Sequence, residues 1–227
     1  MSSVAYIESK EQRPLVPITR CNILIHPLEG RFYSDHHSQE FIESVFERLL
    51  PGNAAELLCV MPSEQSYAER RTGITRSVFG CAHTGFDLYE AAQSAGSKQD
   101  HGEGQVLCLP DISSMEHDHA LDFIRILESK EYQMTPGTKV VLGGMYLEWC
   151  VLVTSMNLFL RTPVTSVFID KAVTLSKDNH YVNDPRFNTA SFLTDCCFYG
   201  VDITDEGSYL KFSKNEFLNG LSQEFRR

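Results

Sequence analysis

Short apolar runs, separated by longer stretches with helical periodicity, are the feature that most constrains the fold of this chain. The runs stay apolar from end to end and do not alternate with polar residues. Strands of this kind are typical of parallel sheets whose two faces are both covered by helices. The runs predicted as strands are Cys21–His26, Ala55–Met61, Gln105–Leu109, Lys139–Gly144 and Val164–Asp170, with Val201–Thr204 as a last strand.

The segments between these runs predict the covering helices. Apolar residues of Ser38–Leu50 recur at spacings of three and four, and Pro51-Gly52 ends that pattern. An apolar helix over Cys150–Leu160 follows the fourth run directly. Because crossovers between parallel strands are right-handed, the pattern predicts an α/β fold, a three-layer sandwich with a mainly parallel central sheet. We expect an N-terminal arm (1–18), one α/β domain (19–210) and a C-terminal helix or tail (211–227).

Charge and cysteine usage restrict the function. Thirty acidic and 20 basic residues give a net charge of −10, which argues against binding to nucleic acid or to anionic membranes. No run approaches 18 apolar residues, and the N-terminus carries no apolar signal-peptide core, so neither a membrane span nor secretion is predicted. The seven cysteines are scattered and form no CxxC pair, as expected for a reducing, cytoplasmic location.

Cys150 differs from the other cysteines in its position. It follows a strand that ends in glycine, and it opens a predicted helix at the edge of the sheet where α/β proteins bind ligands. The N-terminus of a helix lowers the pKa of a thiol through its free N–H groups and its dipole. A cysteine at this position also fits a small buried side chain. Spacing alone leaves both interpretations open.

The segment Val140–Ser176 resembles the core of the isochorismatase-like cysteine hydrolases, a superfamily that includes nicotinamidases. The shared pattern is an apolar strand, a glycine, Cys-Val, an apolar helix, and a strand that ends in Asp-Ala. Matching positions are Gly144, Cys150 and Val151, and Asp170 and Ala172 approximate the Asp-Ala pair with Lys171 inserted. The order of strands is compatible with this resemblance over Cys21–Thr204.

The resemblance implies an isochorismatase-like fold and hydrolysis of an amide or other C–N bond of a small molecule. Cys150 would be the nucleophile, and the backbone N–H groups of Tyr146 and Cys150 would form the oxyanion hole. The Met145–Tyr146 peptide would be cis. Self-association into a homo-oligomer is a further expectation from the family.

The sequence departs from the family at two catalytic positions. The family has an aspartate at the end of the first strand, where this chain has His26, and a lysine at the end of the third strand, where this chain has none. The His26 imidazole either replaces the aspartate as proton acceptor or only forms local hydrogen bonds. Glu29 is a second candidate acceptor at the same edge. Trp149 either walls the pocket or packs against a partner subunit.

Two hypotheses about function remain at this point. The chain is a cysteine hydrolase of a small molecule, or it is a catalytically degenerate member that acts as a structural or protein-interaction subunit. The Asp-x-His pair that holds the metal of nicotinamidases has no counterpart after the second strand, so no metal is predicted, and no cofactor. The segment 63–104 matches no pattern that would name a substrate.

Overall fold

The computed structural model describes residues 14–26, 44–45, 47–53, 55–61, 106–108, 112–113, 117–178, 180–192 and 203–214. Strands and helices alternate along this part of the chain, as the apolar runs predict. Its elements are β1 (Val16–Pro17), β2 (Arg20–Ile25), β3 (Glu56–Met61), β4 (Val106–Cys108), α1 (His117–Ser129), β5 (Tyr132–Gln133), β6 (Lys139–Met145), a π-helical turn (Leu147–Val151), α2 (Leu152–Arg161), β7 (Ser166–Leu175), β8 (Ile203–Glu206) and β9 (Tyr209–Ser213).

The main sheet has the strand order β4-β3-β2-β6-β7-β9-β8. Its first five strands are parallel to one another, and β9 and β8 are antiparallel to their neighbours. The predicted α/β fold with a mainly parallel central sheet is therefore confirmed. The strands β1 and β5 form a separate parallel pair outside the main sheet.

Both faces of the central strands are buried. On one face, strand residues such as Ile23 and Leu142 pack in a single core with Phe123 of α1 and Phe159 of α2. The other face is covered by the helical residues 44–45 and 47–49, of which Val45 and Leu49 are fully buried. Here the Asn22 side-chain amide donates to the Leu49 carbonyl. Helices on both faces make the three layers that the sequence predicts.

The helix after β6 begins earlier than predicted. It starts at Leu147 with a π-helical turn. In this turn the Tyr146 carbonyl oxygen accepts hydrogen bonds from the backbone N–H groups of Trp149 and Val151, with N···O distances of 3.1 and 3.2 Å. This widened turn buries both Leu147 and Val151. The predicted start at Cys150 is therefore wrong, because the thiol lies inside the first turn and does not open it. The helix then runs on as α2 to Arg161.

The sequence missed β9, which forms a hairpin with β8 at one edge of the sheet. Its Phe212 is fully buried, and the ring lies 5.2 Å from that of Phe159, centroid to centroid. The strand runs to Ser213 and so passes the predicted domain limit at 210. The rest of the predicted division into arm, domain and tail stays a prediction. In the described residues, no helix is long and apolar enough to span a membrane.

Candidate active site

The strand order of the sheet reverses between β2 and β6, and the space beyond the carboxyl ends of these two strands is termed the crevice. From β2, the chain crosses to β3 on one side, and β6 lies on the other side. Ligands of open α/β sheets bind at such switch points. His26 directly follows β2, and Cys150 lies in the turn after β6. The topology therefore brings together the two residues that the sequence predicts as catalytic.

Gly144 lets the two strand ends approach closely. It pairs with Ile25 in the register of β2 and β6, and its φ of 116° is strained for any residue with a side chain. A Cβ atom at this position would overlap the backbone carbonyl of Ile25. The Met145–Tyr146 peptide bond, one residue after Gly144, is cis, as the resemblance implies. The matched glycine of the motif thus has a physical role at the crevice.

The Cys150 thiol has three hydrogen-bond partners in the crevice. They are the His26 side chain, the Ser113 side chain and the backbone N–H of Tyr146. Burial of the sulfur raises its pKa, but the hydrogen bond and the charge of His26, with the bonds from Ser113 and Tyr146, outweigh burial and leave the pKa below its usual value. The surroundings therefore favour the thiolate, which is the nucleophilic form.

The backbone around His26 is held tightly. Its φ of 44° lies in the left-handed region, and its N–H donates to the Met61 carbonyl at 2.8 Å. The ring nitrogen Nε2 lies 3.4 Å from the Ser113 hydroxyl oxygen. His26 is thus bound to the end of β3 through its backbone and to a residue that follows β4 through its ring.

Ser113 is a site residue that sequence reasoning missed. It follows β4 at the edge of the sheet where the family has its lysine. The preceding Ile112 is 2% exposed, and its carbonyl accepts a hydrogen bond from the Asn157 side-chain amide at 2.7 Å. The position could have been found from the strand end, but nothing in the sequence singles out this serine among its neighbours.

The structure describes two of the other predicted site residues, Tyr146 and Trp149, but not Glu29. Burial and the charge of the Cys150 thiolate both raise the pKa of the Tyr146 phenol. Trp149 is 63% exposed on the outer side of the π-helical turn, so its role in a pocket or an interface stays a prediction. Glu29 lies outside the described residues. The oxyanion hole formed by the N–H groups of Tyr146 and Cys150 stays a prediction.

A cavity of about 170 Å³ lies on the other side of the π-helical turn, next to the end of β7. Its rim includes Glu148, whose carboxylate accepts the Lys177 backbone N–H at 2.8 Å, together with His180 and Arg186. Arg186 is engaged by Asp184, and neither Cys150 nor His26 lines this cavity. Among the described residues, no group of three or more metal-binding side chains comes together.

Comparison with known proteins adds little to this geometry. No family model and no curated protein matches the chain. Among solved structures, the nicotinamidase PncA from Bacillus subtilis matches with a TM-score of 0.38 and 13% sequence identity, over 70% of this chain and 87% of that chain. Similarity at this level carries no argument about function, so the chemistry of the crevice is derived from its own residues.

Proposed function

We propose that the chain is a cysteine-dependent hydrolase that cleaves an amide or other C–N bond of a small molecule. Cys150 is the nucleophile and His26 accepts its proton. The observation that carries this proposal is the hydrogen bond between the His26 side chain and the Cys150 thiol, at the switch point of the sheet. The resemblance of Val140–Ser176 to the isochorismatase-like hydrolases supports the same assignment.

The proposed reaction has two stages. His26 takes the thiol proton, and the Cys150 sulfur forms a bond to the carbonyl carbon of the substrate. The carbonyl oxygen becomes an oxyanion, which accepts hydrogen bonds from the backbone N–H groups of Tyr146 and Cys150. The C–N bond then breaks, and the protonated His26 returns its proton to the departing nitrogen. Water next attacks the thioester carbon while His26 accepts one of its protons, and the C–S bond breaks to release the acid. His26 then returns its proton to the sulfur, which restores the thiol. The reaction requires only water and groups of the chain.

The base beside Cys150 and the lowered pKa of its thiol both favour formation of the thiolate. A free thiol with a pKa of about 8.5 is only a few per cent thiolate at neutral pH. Because the contacts around Cys150 lower its pKa, the thiolate fraction at a given pH is larger than in a free cysteine. The partner in place of the family's carboxylate is an imidazole, which is the usual base beside catalytic thiols.

The first experiment measures the pH dependence of Cys150 alkylation by iodoacetamide, followed by mass spectrometry of the peptide that carries this cysteine. We expect the midpoint of the rate profile below that of a model thiol. His26→Gln removes the charged partner and should move the midpoint upward. The control His180→Gln changes a histidine on the other side of the π-helical turn and should leave the profile unchanged.

The second experiment is a screen of small amides for release of ammonia or amine. Turnover that disappears in Cys150→Ala and falls at least about 100-fold in His26→Gln supports the hydrolase. A Cys150 thiol that reacts no faster than a model thiol, together with no turnover of any amide, would contradict it. That result favours the alternative, a degenerate member that serves as a structural or interaction subunit.

A further inference from the structure

We propose that Ser113 is a positioning residue that holds the His26 ring against the Cys150 thiol, and that Asn157 fixes Ser113 in this place. The proposal rests on the proposed function and deepens it, because it assigns a third group to the site. It stands on two contacts, Ser113 Oγ to His26 Nε2 at 3.4 Å and Asn157 Nδ2 to the Ile112 carbonyl at 2.7 Å.

A hydroxyl suits this position because it donates one hydrogen bond and accepts others at the same time. Ser113 contacts the sulfur of Cys150 as well as the ring of His26. When His26 carries the thiol proton, both of its ring N–H groups are donors. Ser113 then accepts from Nε2–H, and its own proton is directed to the thiolate. The serine thereby stabilises the charged pair that precedes attack.

The helix that carries the thiol also fixes the serine. Asn157 lies two turns after Cys150, in the same continuous helical segment. Its side-chain amide holds the Ile112 carbonyl, and Ile112 is itself buried, so the backbone at 112–113 is tied to that segment. Supporting contacts of this kind keep reacting groups in the geometry that the chemistry needs.

The hydroxyl contributes a hydrogen bond to a charged sulfur, and its loss should make the thiolate less favourable. We expect Ser113→Ala to raise the midpoint of the Cys150 alkylation profile by about 0.5 to 1 pH unit, which corresponds to a 3- to 10-fold slower reaction at neutral pH. Ser113→Thr keeps a hydroxyl and should restore most of the wild-type profile. A purely structural role would not follow the hydroxyl in this way.

Asn157 has a corresponding test. Asn157→Ala leaves every group that touches the sulfur in place, but it removes the anchor of the 112–113 backbone. We expect its alkylation midpoint to rise by less than that of Ser113→Ala. The control Ser129→Ala removes a hydroxyl that bonds the Ile126 carbonyl near the end of α1, and its profile should match the wild type.

The outcomes separate this proposal from the proposed function. A raised midpoint in His26→Gln with an unchanged midpoint in Ser113→Ala would overturn the role of Ser113 and leave the hydrolase standing. A wild-type midpoint equal to that of a model thiol would overturn both. If Ser113→Ala does not fold, Ser113→Gly removes the same hydroxyl, and an unchanged midpoint in that variant overturns the proposal equally.

Discussion

Gly144 determines how closely the His26 and Cys150 sides of the crevice approach. Its φ of 116° is one that residues with side chains rarely adopt, and a Cβ would overlap the Ile25 carbonyl of the neighbouring strand. We therefore expect Gly144→Ala to lower the free energy of unfolding by about 3 kcal/mol or more. Urea denaturation followed by circular dichroism measures this loss.

Gly137→Ala is the matched control for this substitution. Gly137 lies in the turn before β6, and a Cβ there would come no closer than 3.8 Å to the Thr135 hydroxyl oxygen. Its change in unfolding free energy should stay within about 0.5 kcal/mol. Equal effects at the two glycines would show that the approach of β2 and β6 does not depend on Gly144.

At the residue scale, the sequence predicted candidate residues from their positions after strands. Cys150, Tyr146 and His26 each follow an apolar run, and the structure places His26 and Tyr146 beside the Cys150 thiol. Ser113 also follows a strand, but that position alone does not distinguish it from its neighbours. Its contact with His26 depends on the packing of 112–113 against α2, and a serine carries no pattern that reports such packing.

At the element scale, an ion pair ties the helical residues at 44–49 to β7. Arg48 Nε donates to both carboxylate oxygens of Asp170, at 2.9 and 2.8 Å, and Asp170 is fully buried. Arg48→Met would leave a buried carboxylate without its partner. We expect a loss of about 3 kcal/mol in the free energy of unfolding, since breaking a buried pair costs far more than breaking an exposed one.

The pair between Arg125 and Asp122 on α1 provides the comparison. Both side chains are mostly exposed, and Arg125 Nη1 lies 3.3 Å from Asp122 Oδ1. Arg125→Met should change the unfolding free energy by less than about 0.5 kcal/mol in the same denaturation experiment. A loss in Arg48→Met no larger than this would mean that the contact between 44–49 and β7 does not depend on the ion pair.

Two of the elements that were not predicted, β9 and the π-helical turn, were missed for different physical reasons. β9 is an antiparallel edge region in which Leu210 and Phe212 point inward between half-buried residues, so it lacks the continuous apolar run of the parallel strands. The π-helical turn escaped because its buried residues, Leu147 and Val151, are four apart, a spacing that an ordinary α-helix also has. Hydrophobic periodicity indicates that a segment is helical, but it does not show whether each N–H bonds the carbonyl four or five residues earlier.

At the scale of the whole molecule, the excess of acidic residues determines how solubility depends on pH. The net charge of −10 at neutral pH falls to zero near the isoelectric point of 5.2. We expect a solubility minimum near that pH, because molecules without net charge no longer repel one another. Turbidity measured at fixed protein concentration across pH 4 to 8 should be highest near the isoelectric point, and a turbidity maximum above about pH 7 would contradict this expectation.

The class of fold was predictable at this scale because parallel strands buried on both faces have a distinctive composition. The order β4-β3-β2-β6-β7 was not, since every right-handed arrangement of the same runs buries similar apolar surface. The segment 63–104, which gave no pattern, lies outside the described residues. The strand order creates the switch point at which His26 and Cys150 meet.

The π-helical turn makes the site sensitive to chain length as well as to residue identity. A π turn holds about one residue more than an α turn, so it is equivalent to a one-residue insertion in a regular helix. Successive α-helical residues differ by about 100° around the axis. Deletion of one residue within 147–149 would therefore restore an ordinary helix and rotate the thiol away from the imidazole. A descendant could lose the chemistry in this way with every residue of the crevice still present.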